Sequence, residues 1–329
     1  MTKTNQQKVK DFLINNGVII VMFILVIYTG FTSDNFFTKN NFMNILMNMS
    51  SRLVIALGIA GCVITAGCDL SAGRMIGFGA CISGMLLQRM DYSGKFFPDM
   101  QPLNVFVVAL IAMLVCAAFG TVTGFFIAYL NVPPFIATLA MMEIVYGIGL
   151  IVTNATPLGG YVEQYTNVSN GKFLGINYLI WIAIIVAVIT WFIFNMTRHG
   201  KYMYAIGGNP QAAEVAGVPV KATLILIYMK AAAMYGLAGF MLGAKAGGAS
   251  VNLGYGYEME AIAACTIGGV SVTGGRGKVS SAIIGVAVFE LLKAALQYLG
   301  VDANAQYIAI GIVIFVAISL DIRKYVAKK

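Results

Sequence analysis

The chain has 329 residues, 59% of them apolar and only 10% charged, with a formal net charge of +8. An ordinary soluble domain carries about 25% charged residues, so a water-soluble globule of this size is excluded: it could not cover its own surface. With lipid on its flanks it needs no such cover, but every backbone polar group must then bond within helices or a closed barrel.

The apolar runs are long and continuous rather than alternating, which selects helices. The expected fold class is an all-α integral membrane protein, a single transmembrane domain over residues 1–329. The positive charge does not point to nucleic acid, because the basic residues cluster in short segments beside apolar runs: Lys3, Lys8 and Lys10; Arg198, Lys201 and Lys221; Arg276 and Lys278; Arg323, Lys324, Lys328 and Lys329. That is the positive-inside pattern, and it places both termini in the cytoplasm.

In chain order, windows of about 20 residues predict spans near 12–31, 45–66, 74–90, 104–130, 135–152, 176–196, 222–246, 259–272, 280–299 and 304–321. No small-residue cleavage site follows the first run, so it reads as a span rather than a signal peptide. Ten is an even count, in keeping with both ends inside, although the eighth span is short. Five cysteines, Cys62, Cys68, Cys81, Cys116 and Cys265, lie in or beside these runs without the spacing of a metal site or disulfide framework, and read as small packing residues.

Two glycine-flanked breaks, about 67–74 and 269–276, resemble each other. Gly67-Cys68-Asp69-Leu70-Ser71-Ala72-Gly73-Arg74 aligns without a gap on Gly269-Val270-Ser271-Val272-Thr273-Gly274-Gly275-Arg276, and Ala80 and Ile82 continue onto Ala282 and Ile284. Two ordinary tight turns would look like this; so would an internal duplication, in which broken helices at matching places point to a substrate path. Between spans, the polar segment 153–177 falls outside, the basic segment 197–221 inside, and 247–258, which lacks Lys and Arg, outside again.

The inner segment carries a capped helix. Asn209 is an N-cap residue, Pro210 suits the first helical position, and Gly217 stops the helix before Pro219. A plain connection needs no such element, so a partner surface is implied, and small Ala212, Ala213 and Ala216 would let the helix sit deep in a cleft. Gln211-Ala212-Ala213-x-x-x-Gly217 resembles the E-A-A-x-x-x-G coupling signature of ABC importer permeases, with Gln211 where an acidic residue usually stands. The Gly207-Gly208-Asn209-Pro210 lead-in, the break holding Asp69-Leu70-Ser71, and the stretch from Gly268-Gly269 resemble the branch of that family importing ribose, xylose and galactose, over roughly 50–320.

The resemblance implies a bacterial plasma-membrane permease for a monosaccharide, galactose or methyl-galactoside in the nearest branch. Its partners would be a second copy of the chain, a nucleotide-binding ATPase subunit and an extracytoplasmic sugar-binding protein. Asn209, Pro210, Gln211, Ala212, Ala213, Glu214 and Gly217 would form the coupling helix. No cofactor is expected on this chain, ATP and Mg belonging to the ATPase; no Walker-type G-x-x-x-x-G-K-S/T occurs.

Among charges in or beside the apolar runs, Glu290 and Lys293 are expected to pair along one helix, and Lys230 and Lys245 to snorkel; Arg52 and Arg74 stand without an assigned partner. The candidate translocation path is Asp69, Ser71, Glu143, Tyr255 and Tyr257. Asp69 could instead cap the break, and the two tyrosines could instead anchor at the membrane interface. His199, the single histidine, offers no metal cluster and no Ser-His-Asp set. Two other classes compete with an importer subunit: an ion-coupled carrier using Asp69 or Glu143, for which a coupling helix has no use, and a non-transporting scaffold.

Overall fold

The computed structural model describes residues 5–326, with side chains described from 20 to 316, so the basic side chains at both termini lie outside the described set. Thirteen helices are described: α1 (Asn5–Thr32), α2 (Lys39–Ile64), α3 (Ala72–Leu86), α4 (Val105–Tyr129), α5 (Pro134–Thr153), α6 (Glu163–Asn170), α7 (Tyr178–Met196), α8 (Arg198–Gly208), α9 (Pro210–Val215), α10 (Val220–Ala246), α11 (Tyr257–Gly268), α12 (Val279–Tyr298) and α13 (Ala303–Val326). A two-residue antiparallel hairpin, β1 (Lys172–Phe173) with β2 (Ile176–Asn177), precedes α7.

A helix stands in each of the ten apolar stretches. Among the described residues six helices, α2, α4, α5, α7, α10 and α12, have the length and apolarity to cross a membrane. The chain is thus a multi-pass, all-α membrane protein. By contrast α3, with 15 residues, and α11, with 12, fall short of the roughly 20 residues a crossing needs.

Two expected boundaries move. The third run, expected to 90, ends as helix at Leu86 because the next peptides are captured elsewhere: Val162 N–H donates to the Leu87 carbonyl (2.9 Å) and Arg89 N–H to that of Gly160 (2.8 Å). The eighth, expected to 272, ends at Gly268, where Gly269 takes φ +102°, a value open to glycine at no steric cost. The polar segment 153–177 holds α6, and Asn177 caps α7 by accepting from Leu179 N–H at 2.9 Å.

The core is organised around α10, which packs on α2, α3 and α4. Its contact face is small. A Cβ added at Gly79 of α3 would stand 2.9 Å from Gly236 Cα, and one added at Gly239 would meet the Ile76 carbonyl and the Ala80 amide. Such backbone-to-backbone approach drives helix association in lipid, where apolar surface alone gives no net attraction. The large side chains of the same region, Tyr165, Tyr228 and Tyr235, are fully buried, with the Tyr165 hydroxyl donating to the Phe240 carbonyl at 2.7 Å.

Overpacking this seam is expected to cost on the order of 1–3 kcal/mol. Gly239→Val should lower the melting temperature of the detergent-purified chain by at least about 3 °C. Gly311→Val, at a position with no other group within 4 Å of the new Cβ, should leave it unchanged. Equal melting of the two variants would contradict the seam.

Candidate functional site

The first glycine break opens on a Schellman cap. Gly67 N–H donates to the Cys62 carbonyl and Ala66 N–H to that of Val63, both at 2.9 Å, and Ala66 takes φ +59°. An alanine there costs about 1–2 kcal/mol that glycine would not. The second break opens in the same way, with Val270 N–H donating to the Cys265 carbonyl (2.8 Å) and Gly269 N–H to that of Thr266 (3.0 Å). These caps stand one residue out of the register in which the two sequences align. Beyond them the breaks diverge: residues 65–71 lead straight into α3, whereas 269–278 fold into a turn closed by Ser271 N–H on the Arg276 carbonyl at 3.0 Å.

Asp69 is 1% exposed and accepts from Ser71, through the amide at 3.0 Å and the hydroxyl at 2.5 Å, so it closes the turn that starts α3. The Tyr228 hydroxyl of α10 donates to the Cys68 carbonyl at 3.4 Å, and Tyr235 of the same helix lies near Asp69 with its buried hydroxyl making no hydrogen bond among the described residues. The Cys68 carbonyl freed by the break is thus met from α10, as the interior of a membrane protein requires. Neither Asp69 nor Ser71 borders a described cavity.

The N-termini of α3 and α11 meet. A Cβ on Gly73 would fall on the Glu258 carboxylate and lie 2.9 Å from the Gly254 carbonyl. Glu258 is 4% exposed, and its Oε2 has no hydrogen-bond partner among the described residues. Next to it the Arg74 guanidinium is sandwiched between two rings, 3.9 Å from the Tyr146 centroid and 4.4 Å from that of Tyr255, and donates to Asn252 Oδ1 at 2.6 Å. Such stacking stabilises a cation beyond its hydrogen bonds.

Tyr255 and Tyr257 face opposite ways. Tyr255, 61% exposed, lies on Arg74, while Tyr257 lies under Arg52, 4.9 Å from ring centroid to guanidinium. Glu143 is exposed midway along α5, three residues from Tyr146. The structure therefore sets Asp69 and Ser71 together, places Tyr255 with Arg74 and Tyr146 near the α5 face that carries Glu143, and sends Tyr257 elsewhere.

The charges on α12 also find other partners. Glu290 pairs with Arg52 of α2, and Lys293 with Glu260 of α11 at 2.5 Å, so the helical pair expected between them does not form. Lys245 reaches Asn48 of α2 rather than standing free. No signal in a single sequence marks such long-range partners.

The basic segment 197–221 holds two helices. Asn209 accepts from Ala212 N–H at 3.0 Å, Pro210 opens α9, and Gly217, at φ +81°, closes it in a third Schellman cap with Val218 N–H on the Ala213 carbonyl (3.0 Å). Gln211, Ala212, Glu214 and Ala216 are exposed and Val215 is 91% exposed, but Ala213 is buried against the protein's own body. Ahead of α9, α8 was not expected, because its glycines mask its helical pattern. In α8, burial and nearby Lys230 lower the His199 pKa to about 4, so its imidazole is neutral at physiological pH.

α8 is joined to both breaks. Gly275 N–H donates to the Ile64 carbonyl at 2.8 Å, the Tyr204 hydroxyl donates to the Gly277 carbonyl at 2.8 Å, and a Cβ on Gly207 would strike the Ile64 carbonyl and stand 2.6 Å from Gly275 N. Three segments distant in sequence meet here peptide to peptide.

The family described as "Branched-chain amino acid transport system / permease component" matches residues 41–318. The chain is 40% identical to the galactose/methyl galactoside import permease protein MglC of Escherichia coli and 41% identical to that of Haemophilus influenzae, over the whole of each chain. It is 32% identical to the ribose import permease protein RbsC of Escherichia coli, across 96% of each. No solved structure matches.

Accessibility at the first break is testable through its cysteine. Cys68 is partly exposed, whereas Cys62, Cys81, Cys116 and Cys265 are buried. A small maleimide should label the native detergent-solubilised chain at Cys68, and Cys68→Ser should remove that label. Labelling of Cys62 before Cys68 would contradict the geometry of the break.

Proposed function

The chain belongs to the branched-chain amino acid transport system permease-component family, and we propose that it is the membrane-spanning permease subunit of an ATP-driven importer whose cargo is a monosaccharide, galactose or methyl galactoside. The cargo follows from the two relatives of that name, each about 40% identical over its full length. Catalysis of ATP hydrolysis, with its ATP and Mg, belongs to a separate ATPase subunit, and delivery to an extracytoplasmic sugar-binding protein. The membrane is the bacterial plasma membrane, with both termini on the cytoplasmic side.

The observation that carries the mechanism is the junction of α8 with both breaks. The outward face of α9, formed by Gln211, Ala212, Glu214, Val215 and Ala216, is the docking surface for the ATPase, while Ala213 seats α9 on the permease. Gln211 can offer hydrogen bonds there but no ion pair. Closure of the ATPase on its nucleotide displaces α9 and α8, and with them Gly277, to which Tyr204 of α8 is bonded, and the Ile64–Gly275 peptide pair, against which Gly207 of α8 packs. Ile64 leads through Asp69 into α3, and Gly277 stands between α11 and α12. One displacement therefore reaches both short helices, whose N-termini meet at Gly73 and Glu258.

Two copies enclose the path. An ionised side chain exposed to hydrocarbon costs several kcal/mol, so the α5 face bearing exposed Glu143 is placed against the second copy or the water-filled path rather than lipid. Asp69 and Ser71 hold the first break in shape, and Tyr255 with Arg74 lies against Tyr146 of the same helix as Glu143.

In vesicles holding permease, ATPase and binding protein, radiolabelled galactose should accumulate with ATP and ignore an imposed proton gradient. Val215→Asp should cut that accumulation at least about tenfold, as loss of a buried interface anchor does, while leaving the melting temperature of the permease unchanged. Ala213→Trp should instead lower the melting temperature. Uptake that follows the proton gradient without ATP would overturn the importer reading.

A further inference from the structure

A polar cavity of about 600 Å³ lies on the Tyr257 side of the α11 N-terminus, away from Arg74 and Tyr255. It is bounded by the first half of α2, the last half of α12, the start of α13 and the end of α10. These are the ends of the bundle opposite α8, which packs on the last residue of α2, Ile64. The cavity therefore faces the side on which sugar arrives. Its volume lies within the roughly 300–1,000 Å³ of small-molecule sites.

The floor is a network of charges. Glu290 pairs with Arg52, Glu260 with Lys293 at 2.5 Å, and Glu260 also lies 3.7 Å from Arg52 Nε. Glu290 is 3% exposed, and Arg52, Lys293 and Glu260 are about four-fifths or more covered. Buried ion pairs of this kind give little net stability over apolar packing, because desolvation offsets their attraction. In a chain that is 59% apolar, four ionised groups gathered round an empty volume are better understood as a lining than as a staple.

The lining fits an uncharged polyol. The two carboxylates neutralise Arg52 and Lys293, so the floor carries no net charge to hold an ion; the one uncompensated charge is the Lys245 ammonium at the end of α10, which donates to the neutral Asn48 Oδ1. What remains is a dense alternation of donors and acceptors: ammonium and guanidinium N–H groups, free carboxylate lone pairs, and the amides of Asn44, Asn48 and Gln297. Sugar hydroxyls both donate and accept, and hydrogen bonds to charged partners are about twice as strong as neutral ones. Tyr307, 72% exposed on α13, supplies an aromatic face at the rim.

We propose that this cavity is a monosaccharide-binding station within the permease itself, where a neutral hexose exchanges water for Glu260, Lys293, Asn44 and Asn48 before the path opens. The proposal rests on the sugar-importer reading above and adds to it a site at which the permease recognises its cargo without the delivering protein.

The test is equilibrium binding of tritiated galactose to the full-length permease assembled with its ATPase in detergent, with no binding protein present, measured by scintillation proximity. Wild type should bind saturably, with galacturonate a poorer competitor than unlabelled galactose. Asn44→Ala and Asn48→Ala keep the four-charge network intact and should each weaken binding about tenfold, the loss of one hydrogen bond to a polar ligand; the second also releases the Lys245 ammonium, so Asn44→Ala is the cleaner of the two. Glu260→Gln should weaken it further. Gel filtration and ATPase co-purification of the same samples identify any variant that fails to fold, and the two asparagine variants keep the proposal testable if Glu260→Gln does.

Galactose binding that is absent in wild type, unchanged in all three variants, or surpassed by galacturonate or by an anionic phospholipid would overturn the station. The importer reading would survive that result as long as ATP-driven galactose uptake persisted in vesicles with the binding protein. Loss of that uptake from the wild-type assembly would instead overturn the reading on which the proposal rests.

Discussion

A peptide group that leaves a helix inside hydrocarbon has no water to bond with, so the chain can break there only where the rest of the protein closes around the break. Everything distinctive about this fold follows from how that condition is met. α10 presents Gly236 and Gly239 to α3, so that the backbones touch, and sends Tyr228 and Tyr235 towards the freed groups at Cys68 and Asp69. Small residues bring the enclosing helix close, and Tyr228 on the same helix reaches the Cys68 carbonyl. Without Tyr228 the Cys68 carbonyl would lose that hydrogen bond, while the amides of Ala66, Gly67 and Ser71 are met locally, by the end of α2 and by Asp69.

That division explains what could be read from the sequence and what could not. Long apolar runs, the glycine breaks and the capped helix from Asn209 to Gly217 are local patterns, and local patterns survive in one dimension. The bond from Ala212 N–H to Asn209 spans three residues and the φ of Gly217 belongs to one. Partners far apart leave no such trace. Glu290 and Lys293 share a helical face and invite a pairing rule, yet Arg52 and Glu260, far off in sequence, take them instead. Ala213 carries the same signature as Ala212 and Ala216, but one residue's rotation around α9 turns it into the body of the protein while they face out. The gapless likeness of the two breaks also holds less in space than in sequence: the same cap opens both, one residue out of step, and only the first runs directly into a helix.

The ionisable residues divide by what surrounds them. Asp69 is spent on local backbone, closing a turn with Ser71. Arg74 is held between aromatic faces, a mode that keeps a cation in place with little water. Glu143 has no such shelter and stands out from the middle of α5. A membrane protein pays for each of these differently, and the unsheltered one says most about its neighbours, since a lone subunit in lipid would leave it in hydrocarbon.

The contact of Gly207 with Ile64 and Gly275 is made by backbone alone. Side-chain contacts are compliant: a rotamer can flip, and a push is absorbed before it arrives. Peptides in direct contact have no such slack, and their geometry is restored by the helices on either side. In the coupling proposed above, such a joint would act as a rigid crank rather than a spring, so a stroke delivered to one end would be the stroke received at the other. Its stiffness is written as missing side chains, which makes it indifferent to the chemistry of its surroundings and intolerant of a single added methyl group.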